Sequence, residues 1–103
     1  MSLSTHVLDA GAGRPAVGVR VVLTTADGHE LARRSTDAGG RVADLAGPLE
    51  PGTYRLTFDT AGYLGDDAFF PEVVVVIRLD DPAAHHHVPL LLSPYAYSTY
   101  RGS

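Results

Sequence analysis

Turn-forming residues interrupt this chain at short intervals and limit the length of every possible helix or strand. Clusters drawn from Gly, Pro and Asp fall at residues 10–15, 26–28, 37–40 and 47–52. The segments between them are rich in Val, Thr and Tyr, and several alternate apolar with polar residues. The sequence therefore predicts short β-strands joined by turns and loops.

Eight segments have the pattern of a strand. The clearest is the V-V-V-V-I run at residues 73–77, in which every side chain is β-branched. Residues 60–67 are the one place for a short helix, which Gly62 and Gly65 weaken. The predicted strands cover residues 2–9, 17–25, 31–36, 41–45, 54–59, 71–79, 85–92 and 95–100. This spacing is typical of an antiparallel β-sandwich.

Length and composition predict a single domain over residues 1–103 and argue against several functions. The net charge of −4 provides no basic surface for nucleic acid, and no apolar run of about 18 residues offers a membrane span. Without Cys or Lys, the chain has no disulfide, no thiolate ligand and no Schiff-base lysine. The polar start and the R-G-S end carry no secretory or peroxisomal signal, so we expect a cytoplasmic protein.

Histidines are the first candidate site residues. His6 lies in the first predicted strand, and taken alone it fits a histidine that is hydrogen-bonded to backbone. In the strand at residues 85–92, His85 and His87 point to one face and His86 to the other. Two histidines at that spacing can bind a metal ion, but no Cys or nearby carboxylate completes a ligand set. We therefore expect no metal and no cofactor.

Further polar groups lie at a turn and at the end of the sequence. Arg41 directly follows Gly39 and Gly40, where it is either an exposed turn residue or an anion-binding group. The last residues read Y-R-G-S and end on Ser103, which offers a hydroxyl and a carboxylate. A chain end without a function usually carries no such pattern, which makes this one a candidate for binding or chemistry.

Several segments together resemble the transthyretin-like family. They are S-T-H-V-L-D at residues 4–9, T-D-A-G-G-R at 36–41, G-T-Y-R-L-T-F-D at 52–59, F-F-P-E at 69–72 and H-V-P-L-L-L-S-P at 87–94. The final Y-S-T-Y-R-G-S is similar to the enzyme branch of that family and not to its hormone carriers. Members often have Asn at the position of Asp37 and Tyr at that of His86. An Asp can hold the same turn through bonds to backbone, and His86 faces away from His87.

The resemblance implies a fold, an assembly and a reaction. The fold is an eight-stranded transthyretin-like sandwich with one short helix, which pairs edge to edge into dimers. Two dimers then form a homotetramer around a channel, with Leu8, Leu90, Leu92 and Tyr97 as candidates for sealing a subunit contact. The implied activity is the metal-independent hydrolytic ring opening of 5-hydroxyisourate, a step of urate degradation toward allantoin.

The resemblance also implies the residues of the site. In the family, the positions that match His6, Arg41, His87 and Ser103 line the site between dimers, and Tyr100 belongs to the same signature as a further substrate contact. Histidine exchanges protons near neutral pH, and arginine offers a permanently charged planar group to carbonyl oxygens. We hypothesise an acid/base pair of His6 and His87, with Arg41 binding the substrate and Ser103 orienting water. Which histidine is the base stays open.

Two other functions compete with the hydrolase. One is a carrier that binds a hydrophobic small molecule in the channel without turnover, although a carrier has no need of two histidines and an arginine there. The other is a structural module, because residues 36–54 also resemble the B-type repeats of bacterial surface stalks. Those repeats typically lock with a Lys–Asn bond, and this chain contains neither residue.

Overall fold

The computed structural model describes residues 2–81 and 83–103, which form two β-sheets packed face to face around one core. One short helix, α1 (Thr60–Leu64), is followed by a 3₁₀ turn (Gly65–Asp67). The strands within these residues are β1 (Ser2–Asp9), β2 (Arg14–Pro15), β3 (Arg20–Thr25), β4 (Glu30–Ser35), β5 (Arg41–Val42), β6 (Gly52–Phe58), β7 (Val73–Leu79), β8 (His85–Leu92) and β9 (Tyr97–Thr99).

The strand order places the first strand beside the next-to-last one. The larger sheet runs β2-β1-β8-β9, with β5 also paired to β1, and the smaller sheet runs β4-β3-β6-β7. Strands β1 and β8 are parallel, whereas every other pair is antiparallel, as the sequence predicted. A parallel pair needs a long crossover, and here the whole smaller sheet lies between the two strands in sequence.

The predicted elements agree well with the observed ones. The bounds of β1 and β8 match the prediction, and the short helix forms where expected, with the Asp59 carboxylate accepting a hydrogen bond from the Gly62 N–H. The two-residue strand β2 was missed, because its Arg-Pro sequence follows a Gly-rich segment that reads as a loop. The predicted turn at residues 80–84 includes Pro82, which lies outside the described residues.

The alternation of side chains along β1 and β8 separates a core face from an outer face. Leu3 and Val7 of β1 point inward with Leu90 and Leu92 of β8, and all four are buried against Phe58 and its neighbours in the smaller sheet. The expectation that Leu90 and Leu92 seal a subunit contact is therefore wrong. The outward neighbours are Leu8 and Leu91, which are half-buried.

The helices of the fold are short. Across residues 2–81 and 83–103, none has the length and the apolar character needed to cross a bilayer.

Candidate functional site

The parallel register of β1 and β8 places serines beside histidines on the outer face of the larger sheet. Ser2 lies opposite His85 and Ser4 opposite His87. Because side chains alternate along a strand, these four residues share the outer face, whereas His86 between them points to the inner one. The sequence prediction that His85 and His87 share a face and His86 does not is therefore confirmed.

A continuous chain of hydrogen bonds joins these four side chains. The Ser2 hydroxyl lies 2.6 Å from His85 Nδ1, and His85 Nε2 lies 2.9 Å from Ser4 Oγ. The same Ser4 oxygen lies 2.7 Å from His87 Nδ1. The serine hydroxyls thus engage three of the four ring nitrogens, and His87 Nε2 is the one left for a ligand.

The turn before β5 positions Arg41 next to this chain. The Asp37 carboxylate accepts hydrogen bonds from the Gly39 and Arg41 N–H groups at 2.9 and 3.0 Å, and these bonds hold the pKa of Asp37 below its ordinary value. Gly40 has φ +75° and its carbonyl accepts a 2.7 Å bond from the Val7 N–H. A Cβ on Gly40 would lie 2.4 Å from the Val7 carbonyl oxygen, so only glycine lets the turn dock on β1.

His6 lies beside Arg41, because the two residues are partners in the β1–β5 register. His6 Nε2 is 2.9 Å from the Gly39 carbonyl oxygen, which can only accept, so Nε2 carries a hydrogen. In the neutral ring this leaves Nδ1 as the nitrogen with a free lone pair. The interpretation of His6 as a histidine bonded to backbone is therefore correct for Nε2. Nδ1 remains available to a ligand.

The end of the chain closes the arrangement from the other side. The Gly102 N–H donates a 2.8 Å hydrogen bond to the His87 carbonyl oxygen, and the two residues form an isolated bridge. A Cβ on Gly102 would lie 2.7 Å from Cδ2 of the His87 ring. The glycine therefore permits close contact between backbone and imidazole, and it carries Ser103 into the same cleft.

Together these elements form an open cleft of about 370 Å³. Its polar lining consists of Ser4, Arg41, His85, His87 and Ser103, with Thr5, Val42 and Ala43 completing the wall. No Asp or Glu lines this cleft, and the one ion pair among the described residues is Arg33–Glu30, on the other sheet. The side chains of the cleft are therefore positive or neutral, which suits a small anionic ligand.

The environment of His87 favours its neutral form. Burial lowers the pKa of His87 below its ordinary value, and the neighbouring charges of Arg41, His6 and His85 lower it further. A neutral imidazole with its Nδ1 on a serine and its Nε2 free has the state that a general base requires near neutral pH.

The structure brings most, but not all, of the predicted site residues together. Arg41, His87 and Ser103 line the cleft, and His6 adjoins it through its pairing with Arg41. Tyr100 instead lines a separate, mostly apolar groove of about 200 Å³ between β7 and the segment after β9, together with His86. Its assignment as a substrate contact stays a prediction.

Sequence reasoning missed Ser4 and considered His85 only as a possible metal ligand, and both belong to the hydrogen-bonded chain. Each lies two residues before a predicted site histidine and so shares its face, a signal that was present in the sequence. Only the β1–β8 register shows that the serine and the histidines touch. In residues 2–81 and 83–103, no three side chains among His, Asp and Glu cluster as metal ligands would.

Residues 3–102 match the family model described as HIUase/Transthyretin family. The 5-hydroxyisourate hydrolase of Salmonella typhimurium is 44% identical over 109 residues, which cover 98% of this chain and 80% of that protein. The uric acid degradation bifunctional protein TTL of Arabidopsis thaliana is 41% identical over 120 residues. That match covers 98% of this chain and 37% of the plant protein, so this chain spans well under half of that relative's length.

Comparison with solved structures agrees with the sequence matches. The structure of Klebsiella pneumoniae 5-hydroxyisourate hydrolase superposes with a TM-score of 0.91 at 39% identity, covering 100% of both chains. Sea bream transthyretin in complex with thyroxine superposes with a TM-score of 0.86 at 33% identity, covering 97% of this chain and 93% of the other. Since a hydrolase and a transthyretin share this backbone, the side chains in the cleft have to separate enzyme from carrier.

Proposed function

Because the chain belongs to the HIUase/Transthyretin family, we propose that it is a hydrolase that opens the ring of 5-hydroxyisourate. The observation that carries the proposal is the cleft in which Arg41, His87 and Ser103 meet beside His6, with no Asp or Glu side chain among the described residues of its lining. A flat anionic ring with several carbonyl oxygens matches such a cleft in charge and in hydrogen-bonding groups.

His87 is the proposed general base. Its Nε2 takes a proton from water as the water oxygen bonds to the ring carbonyl carbon, and the lowered pKa of His87 keeps that nitrogen unprotonated near neutral pH. Arg41, which has no carboxylate partner within the described residues, stabilises the oxyanion that forms on the carbonyl oxygen.

His6 and Ser103 have supporting roles in this proposal. As the ring C–N bond breaks, the leaving nitrogen needs a proton, and His6 supplies it from Nδ1 when its ring is doubly protonated. The Ser103 hydroxyl orients the attacking water in the cleft, on the evidence of its position there. The sum of the steps is addition of one water across a cyclic amide bond, without a cofactor.

We further propose that the protein works as a homotetramer built as a dimer of dimers. Strands β7 and β9 each lie at one edge of their sheet and border the apolar groove that contains Val75, Ile77 and Val88. Two open sheet edges beside an apolar groove are suited to pairing with a second copy. Half-buried Leu8 and Leu91 on the outer face near the cleft would then contact a second dimer. Light scattering at micromolar concentration tests this, and a monomer would contradict it.

The cytoplasmic location also stays a proposal, which cell fractionation tests directly.

The decisive experiment is kinetic. The unstable substrate is generated in place from urate and urate oxidase, and its ultraviolet absorbance is followed with and without the protein. We expect faster decay with the protein, and a loss of about 100-fold or more in rate for His87→Ala, the size of effect typical of a positioned general base.

The control is His29→Ala, which removes an exposed histidine near the β3–β4 turn and should keep the wild-type rate. Decay no faster than the spontaneous reaction, from a folded protein, would reject the hydrolase. A ligand screen of the cleft and the groove would then test the carrier.

A further inference from the structure

The proposed mechanism uses His87 but leaves unexplained the two side chains behind it. Resting on the proposed function, we propose that Ser4 and His85 are positioning residues that hold His87 in its active tautomer and move a proton away from it. The observation is the continuous path Ser2 Oγ–His85–Ser4 Oγ–His87, with contacts of 2.6, 2.9 and 2.7 Å.

The number of hydrogen atoms links the tautomers of the two histidines, and a general base on His87 requires one direction of the chain. A serine hydroxyl has one hydrogen, so a hydroxyl between two imidazole nitrogens donates to one and accepts from the other. A neutral His87 with a free lone pair on Nε2 must donate from Nδ1 to Ser4. Ser4 then donates to His85 Nε2, and His85 donates from Nδ1 to the Ser2 hydroxyl. This arrangement satisfies every group and exposes the lone pair to the cleft, whereas the reversed chain, in which Ser4 donates to His87 Nδ1, would place an Nε2–H there.

The same chain of hydrogen bonds allows the positive charge to move from His87 to His85. When His87 Nε2 takes a proton from water, the Nδ1 hydrogen passes to Ser4 Oγ and the Ser4 hydrogen passes to His85 Nε2. The positive charge is then on His85, and His87 is neutral with an Nε2–H that faces the cleft. After His6 has protonated the leaving nitrogen, this hydrogen returns to His6 through solvent, and the reverse shift along the chain restores the starting state with no net proton gained.

Electrostatics favours this transfer. A cation on His87 would lie among the positive groups that already lower its pKa, Arg41 on β5, His6 on β1 and His85 on β8, with Ser103 of the final segment lining the same cleft. His85 is exposed, so water stabilises a charge there better than on half-buried His87. Ser4 is 7% exposed, which protects the bridging hydroxyl from competing water.

Two substitutions test separately whether Ser4 holds the tautomer of His87 and whether His85 receives the proton. Ser4→Ala removes the bridging hydroxyl. We expect kcat to fall about tenfold or more, because part of the rate factor that a positioned base contributes is lost, while KM stays within about twofold of the wild-type value. His85→Gln keeps a hydrogen-bonding group near Ser4 but cannot carry the proton, so kcat should also fall. The matched controls are Ser35→Ala and His29→Gln, both at exposed positions away from the cleft.

The pH profile adds a readout that a purely structural role would not change. Activity that needs neutral His87 rises with pH as the ring loses its proton, and a lowered pKa keeps the wild-type protein active toward mildly acidic pH. His85→Gln removes one of the charges that lower this pKa, so the acidic limb of the kcat profile should move to higher pH. Wild-type kcat in His85→Gln with an unmoved limb would overturn the transfer path.

Nitrogen NMR of the imidazole rings tests the tautomer without any substrate. We expect wild-type His87 to carry its hydrogen on Nδ1 and Ser4→Ala to shift the ring toward the Nε2–H form, whatever the enzymatic activity of the protein. An unchanged tautomer together with wild-type kcat in Ser4→Ala would overturn the positioning role. Failure of the wild-type protein to accelerate substrate decay would instead reject the proposed function and leave the NMR result to decide the tautomer.

Discussion

Two cavities of this protein lie on opposite faces of strand β8 and have opposite chemistry. The cleft on the outer face is lined by hydroxyls, imidazoles and a guanidinium, most of them hydrogen-bonded to one another. The groove on the inner side is lined mainly by Val75, Ile77, Leu79 and Val88. Adjacent histidines show the contrast, because His87 has a serine partner while His86 Nε2 is buried with no hydrogen-bond partner among the described residues.

The difference shows how one strand can serve two purposes. Alternation sends every second side chain of β8 to each face, so a three-histidine run contributes two groups to the cleft and one to the groove. Polar groups that satisfy each other form a preorganised site, whereas a mostly apolar groove between two open sheet edges favours contact with another chain. Substitutions on the two faces should therefore affect different measurements.

The largest expected effect comes from removing the charge of the cleft. Arg41→Gln should lower kcat/KM by about 100-fold or more, because in the proposed mechanism the oxyanion loses its charged donor. The Arg41 side chain is exposed, so the melting temperature should change little. The control is Arg34→Gln, an exposed arginine on β4 whose side chain bonds to the Arg33 carbonyl oxygen. Equal activity in the two variants would show that the cleft does not bind the reacting anion.

A smaller effect is expected from moving the final segment off His87. Gly102→Ala places a methyl group 2.7 Å from the His87 ring carbon, so either the ring or the segment must shift. We expect kcat to fall about tenfold with the fold retained, because a small displacement of the proposed general base is costly. Gly47→Ala, where an added Cβ meets nothing within 4 Å, should keep the wild-type kcat. Wild-type kcat in both variants would show that the position of the final segment does not affect catalysis.

The smallest effect concerns the groove. His86→Leu removes a buried nitrogen without a partner, so the free energy of unfolding should stay the same or rise by about 1 kcal/mol. Activity should stay at the wild-type level, because His86 faces away from the cleft. Thermal unfolding and light scattering measure both the stability and the assembly. If the variant loses its oligomeric assembly, the result would instead indicate that His86 of the wild-type protein bonds to a group across a subunit contact.

Much of this picture could be predicted from the sequence. Alternation and β-branched residues gave the bounds of β1 and β8, and turn residues separated the remaining strands. The transthyretin-like sandwich that the motifs implied is confirmed by the match of the backbone to a solved hydrolase and a solved transthyretin. The turn before Arg41 was also correctly predicted, because Asp37 bonds to backbone only two and four residues away.

Other features were beyond the sequence because they depend on distant segments. Leu90 and Leu92 were assigned to a subunit contact, and they lie in the core because their face of β8 packs against the smaller sheet. Tyr100 shares a motif with Ser103, yet the two line different cavities. Neighbouring residues of an extended chain point in different directions, so a motif does not define a common site.

By itself, the sequence determined the strands, the turns and the chemical types available for the site. Those properties follow from local forces, namely side-chain sterics, alternation and bonds between residues a few positions apart. The tertiary structure decided that Ser4 meets His85 and His87, that Arg41 lies beside His6, and that Gly102 packs on an imidazole. These contacts join residues up to 83 positions apart, and they arise because packing the two sheets around one core aligns β1 with β8 in a single register.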